Sequence, residues 1–296
     1  MGNFKTLAFT TLLVLASTSL LAEGLVKVNA MNYPVWVERN QQIVALLPGS
    51  ELRANDLLRT GKGGRVLLQL ADGSALKLGE SASFRIESAS MPNDQGKSYL
   101  KLGLEVLRGA FRFTSSFFGD VSTGHRINVK IGAITAGVRG TDIWGRSNLE
   151  KDLVCLIEGN ITVDAAGEST AVLEQALSFY VKPKGAAALP VEQVDPAQLQ
   201  LWAAETELDD NLGIASQQGE WQLVLMSLSD VNNLHIALQT FHLKGFATQS
   251  IEVQSGGKTW YRLLLPGFVS AEDARNANIQ IAEYLDIDDA WVWRAE

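Results

Sequence analysis

Near the C-terminal end, two runs of strand length carry tryptophan and arginine at alternate positions. Trp260 and Arg262 fall in residues 258–265, and Trp291 and Trp293 in residues 289–294. Side chains alternate faces along a strand, so each pair shares a side. An indole is large and stiff, and its flat face offers apolar area at little rotamer cost. Sugar rings present C–H faces that pack on such a surface. A planar guanidinium holds a carboxylate with two parallel hydrogen bonds. Stacking is therefore assigned to Trp260 and Trp291, and carboxylate recognition to Arg262. Trp293 is open to two readings, a member of this surface or a core residue. Trp221 reads as core.

The surrounding pattern over residues 219–296 explains how these groups could be held. Residues 220–228 form a short apolar run of strand length. Ser229 or Asp230 caps a helix whose inner stripe is Val231, Leu234, Ala237, Leu238 and Phe241, stopped by Gly245. Residues 247–254 make a second strand, and Ser255-Gly-Gly257 a hairpin turn. The third strand, 258–265, is expected to break at Pro266-Gly267. Ser270-Ala-Glu-Asp273 has capping-box spacing, with Ala274, Ala277, Ile281 and Leu285 as the next inner stripe. The order is βαββαβ. A four-stranded antiparallel sheet with both helices on one face keeps its other face bare.

This stretch resembles the SPOR (sporulation-related repeat) domain, a periplasmic module that binds peptidoglycan. The resemblance rests on element order, Trp260-Tyr-Arg262, Pro266-Gly-Phe268 and Trp291-Val-Trp293. It implies a sheet that holds glycan strands stripped of their stem peptides, whose N-acetylmuramic acid carries a free lactyl carboxylate for Arg262. The family's Gln and Ser on the first strand correspond to Val224 and Ser227, and its glycine before the serine to Met226. Sheets of this topology also bind single-stranded RNA by stacking. An RNA binder shows a basic footprint; residues 219–296 hold 5 Lys/Arg against 10 Asp/Glu. No nucleic-acid partner is expected.

Residues 1–22 read as a secretory signal peptide: Lys5, an apolar stretch over 7–16, then Ser17-Thr-Ser-Leu-Leu-Ala22, with cleavage after Ala22. The apolar stretch is short of the ~20 residues of a membrane span. No cysteine follows the cleavage site, so no lipid anchor is expected. The expected location is the periplasm, with enrichment at the division septum where amidases expose glycan. Removing Lys5 takes the formal charge from −8 to −9, which disfavours nucleic acid and anionic lipid as partners. The single Cys155 sits in Leu153-Val-Cys-Leu-Ile157 and reads as an inert core thiol.

Residues 23–184 alternate apolar runs with glycine turns, and predict an all-β domain, a sandwich or a rolled sheet. Asp72-Gly73 is a two-residue hairpin signal, and Glu158-Gly-Asn160 is read as a second hairpin between residues 153–157 and 161–163. Six motifs resemble the FecR domain: Leu47-Pro-Gly49, Asp56-Leu-Leu-Arg-Thr-Gly61, Leu70-Ala-Asp-Gly-Ser74, Leu107-Arg-Gly109, Val138-Arg-Gly-Thr-Asp142 and Ile157-Glu-Gly159. The resemblance implies a domain that engages an envelope or divisome protein or a ligand. Arg139 and Asp142 are read as a structural ion pair.

Residues 185–218 hold six acidic residues and no basic one. Asp195 caps Pro196 to open a helix near 195–208, with Leu199 and Trp202 docked on the β domain. Residues 209–218 are expected to be a flexible tether.

Catalysis is not expected. His235 and His242 are seven apart on one helix, roughly 10 Å, too far to share a metal, and His125 follows a glycine. No nucleophile elbow, zinc-protease, phosphate-loop or dinucleotide motif occurs. Neither metal nor cofactor is expected. The resulting expectation is a non-enzymatic, two-domain binder of peptide-free glycan. Its alternative is a protein-interaction adaptor or an envelope signalling sensor without glycan binding.

Overall fold

A computed structural model describes residues 24–94, 97–116 and 126–294. The expected signal peptide and His125 lie outside the described residues. Among the described residues every element up to Gln193 is a strand, and three α-helices follow: α1 (Pro196–Ala204), α2 (Val231–Leu243) and α3 (Ala271–Leu285). Among the described residues no helix is long and apolar enough to cross a membrane.

The β region is built of two sheets that share the long strand Lys101–Thr114. In sheet 1 the order runs Val26–Asn32, Arg65–Leu70, Ala75–Leu78, the end of Lys101–Thr114, Asp142–Ser147, Lys151–Glu158 and Ser178–Pro183. In sheet 2 it runs Gln42–Ala45, Val35–Arg39, Leu57–Thr60, Ser83–Ser90, the start of Lys101–Thr114, Arg126–Ile131, Ile134–Val138, Ile161–Ala165 and Ala171–Leu173. The shared strand changes sheets at Gly109, whose φ is +94°. A Cβ there would sit 2.7 Å from the Ala82 Cα, so only glycine fits.

The Asp72-Gly73 turn closes a hairpin between Arg65–Leu70 and Ala75–Leu78. The hairpin expected at Glu158-Gly-Asn160 does not form. Lys151–Glu158 belongs to sheet 1 and Ile161–Ala165 to sheet 2. Gly159, at φ +91° and tight against Gly140 and Thr141, carries the chain from one sheet to the other. Lys151–Glu158 is buried on both faces from Asp152 to Leu156, whereas Ile161–Ala165 buries alternate residues. Asp142 receives two hydrogen bonds from Arg112, at 2.7 and 3.0 Å, so a cation on the neighbouring strand meets its charge.

In the C-terminal region the sheet order is Gln249–Ser255, Lys258–Phe268, Trp221–Leu228, Trp291–Arg294, all antiparallel. Asp230 caps α2 and Ser270 caps α3; the Ser270 hydroxyl accepts from the Asp273 N–H at 3.0 Å. The α3 stripe Ala274, Ala277, Ile281 and Leu285 is buried. In α2 only Leu234 and Phe241 are buried, and Val231 is exposed at the first turn. Pro266-Gly267 does not end the third strand, which continues to Phe268. Its ladder slips by one residue there, since Trp221 pairs with Phe268 but Leu223 with Leu265. A bulge is where a proline is tolerated inside a ladder.

One hydrophobic core runs through both regions, from Phe84, Phe111 and Leu68 to Leu225, Leu263, Phe246 and Ile281. The join is made by the short strand Ala215–Ser216, which pairs with Ala30 and Met31 on one side and Phe268 on the other. Tyr33 packs on Phe246 at 6.1 Å and Phe268 at 6.0 Å, and burial pushes its hydroxyl well above the ordinary tyrosine range. His242 Nε2 lies 2.7 Å from the Ile43 carbonyl, and the Gln280 amide donates to the Lys62 carbonyl at 2.6 Å. Residues 209–218 are therefore no tether. Asn32 donates to the carbonyls of Asp209 and Gly213 and accepts from the Asp209 N–H, and Ala215 is fully buried. A buried amide side chain that satisfies three backbone groups fixes that chain path.

Candidate functional site

The C-terminal sheet has two unlike faces. Leu223, Leu225, Tyr261, Leu263, Leu265 and Val292 belong to the core under the helices. Alternation sends Trp260, Arg262, Trp291 and Trp293 to the other face. Trp291 is opposite Val224 in register, and Arg262 is opposite Ser227. Val224 and Leu264, buried but outside the helix-side core, form an apolar floor there.

On that floor the arginine sits between two indoles. The Arg262 guanidinium carbon is 5.9 Å from the Trp291 ring centre and 5.8 Å from that of Trp293. Both distances are within cation–π range. Arg262 makes no salt bridge or side-chain hydrogen bond with any described residue, and it is half-buried. Trp291 is 37% exposed, Trp260 and Trp293 are intermediate, and Ser227 is exposed. Trp260 stands two residues from Arg262 on the same face, opposite Val253. The structure thus gathers Arg262, Trp291 and Trp293 closely, keeps Ser227 beside the arginine, and holds Trp260 at the margin.

Trp221 lies on the other side, packed against the core with Arg294 5.6 Å from its ring centre. Arg294 is in turn paired with Glu220. The contacts with the β region come from Phe246, Phe268, His242 and Gln280, on the helix side. Docking leaves the Trp–Arg face uncovered.

One residue of this face escaped the sequence reading. Gln222 is opposite Trp293, and its Oε1 is buried without a hydrogen-bond partner. Period-two alternation alone would have placed Gln222 on the same side, two residues before Val224.

Cys155 is buried and free, and burial pushes its thiol up to about 12. It cannot act as a thiolate at neutral pH. Among the described residues no group of three or more His, Cys, Asp or Glu side chains could hold a metal ion.

The β region shares one core with a sheet whose other face carries exposed aromatic rings and an arginine. Comparison with known families agrees on both parts. Residues 56–162 match the FecR protein family and residues 217–292 match the SPOR domain, in that order. These are binding and signalling families without catalytic function, and the SPOR match implies peptidoglycan binding in the cell envelope. No curated protein matches the chain. Two crystal structures of a protein from Parabacteroides distasonis, provisionally described as an anti-sigma factor, are similar at TM-score 0.38. Identity is 12% and 14%; the matches cover 69% and 67% of this chain and 96% and 95% of theirs. At that TM-score the likeness carries no argument.

Proposed function

We propose that this chain is a periplasmic, non-enzymatic protein that binds glycan strands of peptidoglycan from which the stem peptides have been removed. Residues 219–296 form the glycan-binding unit, residues 23–184 engage a protein partner or ligand, and residues 185–218 join them. The observation that carries the reading is Arg262, a half-buried cation without a carboxylate, framed by Trp291 and Trp293. Cations that deep in a protein surface ordinarily have a partner. A lactyl carboxylate supplies one, and only a muramic acid freed of its peptide exposes it. The indoles stack on the adjacent sugars, Trp260 extends the platform, and Ser227 and Gln222 offer hydrogen bonds where Val224 has none.

Single-site affinity is near micromolar, about −8 kcal/mol. The test is retention of the full chain on sacculi treated with an amidase, against intact and mock-treated sacculi. Selective retention on the denuded wall, lost in Arg262→Ala, supports the reading. Equal retention on all three overturns it, and would favour a protein adaptor that uses the same face.

A further inference from the structure

The joining segment does more than connect. Four cations stand on four successive strands of sheet 1: Arg65, Lys77, Arg112 and Arg146. The chain leaving α1 crosses them with carboxylates at positions 205, 207 and 209. Glu205 pairs with Arg146, Glu207 with both Lys77 and Arg112 (3.3 Å to the latter), and Asp209 with Arg65 at 3.0 Å. Just before them, Trp202 lies flat on Trp144, ring centres 5.0 Å apart and planes 8° from parallel. Gly79 permits the crossing, because a Cβ there would be 2.6 Å from the Glu205 carbonyl oxygen.

This strap covers a surface with the features of a recognition site. Beneath it lies a separate apolar cluster of Trp144, Leu153, Cys155 and Val181, on the side of sheet 1 away from the main core. The fit is incomplete. Arg65 Nε is buried without an acceptor, and Arg108 makes no salt bridge to any described residue. Both border an open cleft of about 300 Å³ beside Glu205.

We propose that this face of sheet 1 is an interaction surface for an acidic segment of a partner protein, and that the chain's own strap occupies it in cis. The strap defines the chemistry of the partner: an indole followed by carboxylates three, five and seven residues later. A tethered segment competes at an effective concentration in the millimolar range, so a partner gains access when the strap is released. This inference is independent of glycan binding.

The test uses a fluorescein-labelled synthetic peptide with the sequence of residues 196–213. It is titrated into the full-length wild type and into the full-length variant E205Q/E207Q/D209N. The variant is expected to bind about tenfold more tightly than wild type, with affinity falling about tenfold between low and high salt. A peptide with its acids replaced by amides should not bind. Equal binding by the two proteins, or equal binding of the two peptides, overturns the proposal. Should the variant not fold, hydrogen exchange on the wild type decides. The amides of residues 206–210 are expected to exchange about tenfold faster at high salt while those of Asp142–Ser147 stay protected; exchange that ignores salt overturns the proposal.

Discussion

The arginine–tryptophan contact on sheet 1 and the one on the bare face of the C-terminal sheet differ in what covers them. In the β region Trp144 is 1% exposed, Trp202 is stacked on its face, and Arg146, 5.2 Å from the Trp144 ring centre, is neutralised by Glu205. Burial there depresses the Arg146 guanidinium below its ordinary range. In the C-terminal region Trp291 and Trp293 frame Arg262 without a third ring or a carboxylate. The residue types are the same. What makes one a closed packing site and the other an open surface is the segment that lies on top, since an aromatic or a cation binds only with the capacity that its own neighbours have not used.

The sharpest way to break this comparison is to truncate an indole from each surface. Trp144→Ala removes a fully buried ring and is expected to destabilise the fold by about 3–5 kcal/mol, read by urea unfolding. Retention on denuded sacculi should survive under conditions where the variant stays folded. Trp291→Ala should do the reverse, with stability changed by less than about 1 kcal/mol and glycan retention down about tenfold, or 1.4 kcal/mol. Comparable losses of stability in the two variants would mean that the C-terminal face is core and not a site.

The alternation of Trp260 with Arg262 and of Trp291 with Trp293 was legible because period two is a local property, and so were the Ser270 cap and the α3 stripe. The turn at Glu158-Gly-Asn160 was not. A glycine turn between two apolar runs reads the same whether the strands pair with each other or divide between sheets, and only the contacts of Gly159 with Gly140 and Thr141 decide it. The strap was also hidden. In sequence Glu205 and Glu207 are only acids of the helix expected near 195–208, and Asp209 only opens the expected tether, because Arg65, Lys77, Arg112 and Arg146 are scattered over some eighty residues and meet only in the folded sheet. Pro266-Gly267 misled for a related reason: a breaker pair ends an isolated strand, whereas a bulge absorbs it.

A middle-sized effect sharpens the closed side of the comparison. Gly79→Ala keeps every charge but sets a methyl against the Glu205 carbonyl. Such overpacking costs about 1–3 kcal/mol when the neighbour cannot move; a strap that is released, as proposed, yields instead. The expected outcome is a smaller loss of global stability together with new cleavage at Glu205 and Glu207 by a glutamate-specific protease. A full-sized loss with no cleavage would show that the strap is a fixed part of the β region.

The smallest effect concerns acid. Against the upward pull of burial, hydrogen bonds from Arg65 and Asn211 hold the Asp209 carboxyl below the ordinary aspartate range. A carboxylate whose folded value is depressed contributes stability above its unfolded value, near 3.9, and loses that contribution as pH falls through the folded one. Asp209 is about a third exposed, so the pair with Arg65 is worth at most about 1 kcal/mol. Wild type should therefore be slightly more stable than Asp209→Asn at pH 6, and the difference should close once pH drops below the depressed value. Arg262→Gln is the counterpart on the open face: with no carboxylate beside the arginine, its stability difference from wild type should stay flat over the same range. A pH-dependent difference at Arg262 would reveal an acidic partner on the open face and erase the distinction between the two surfaces.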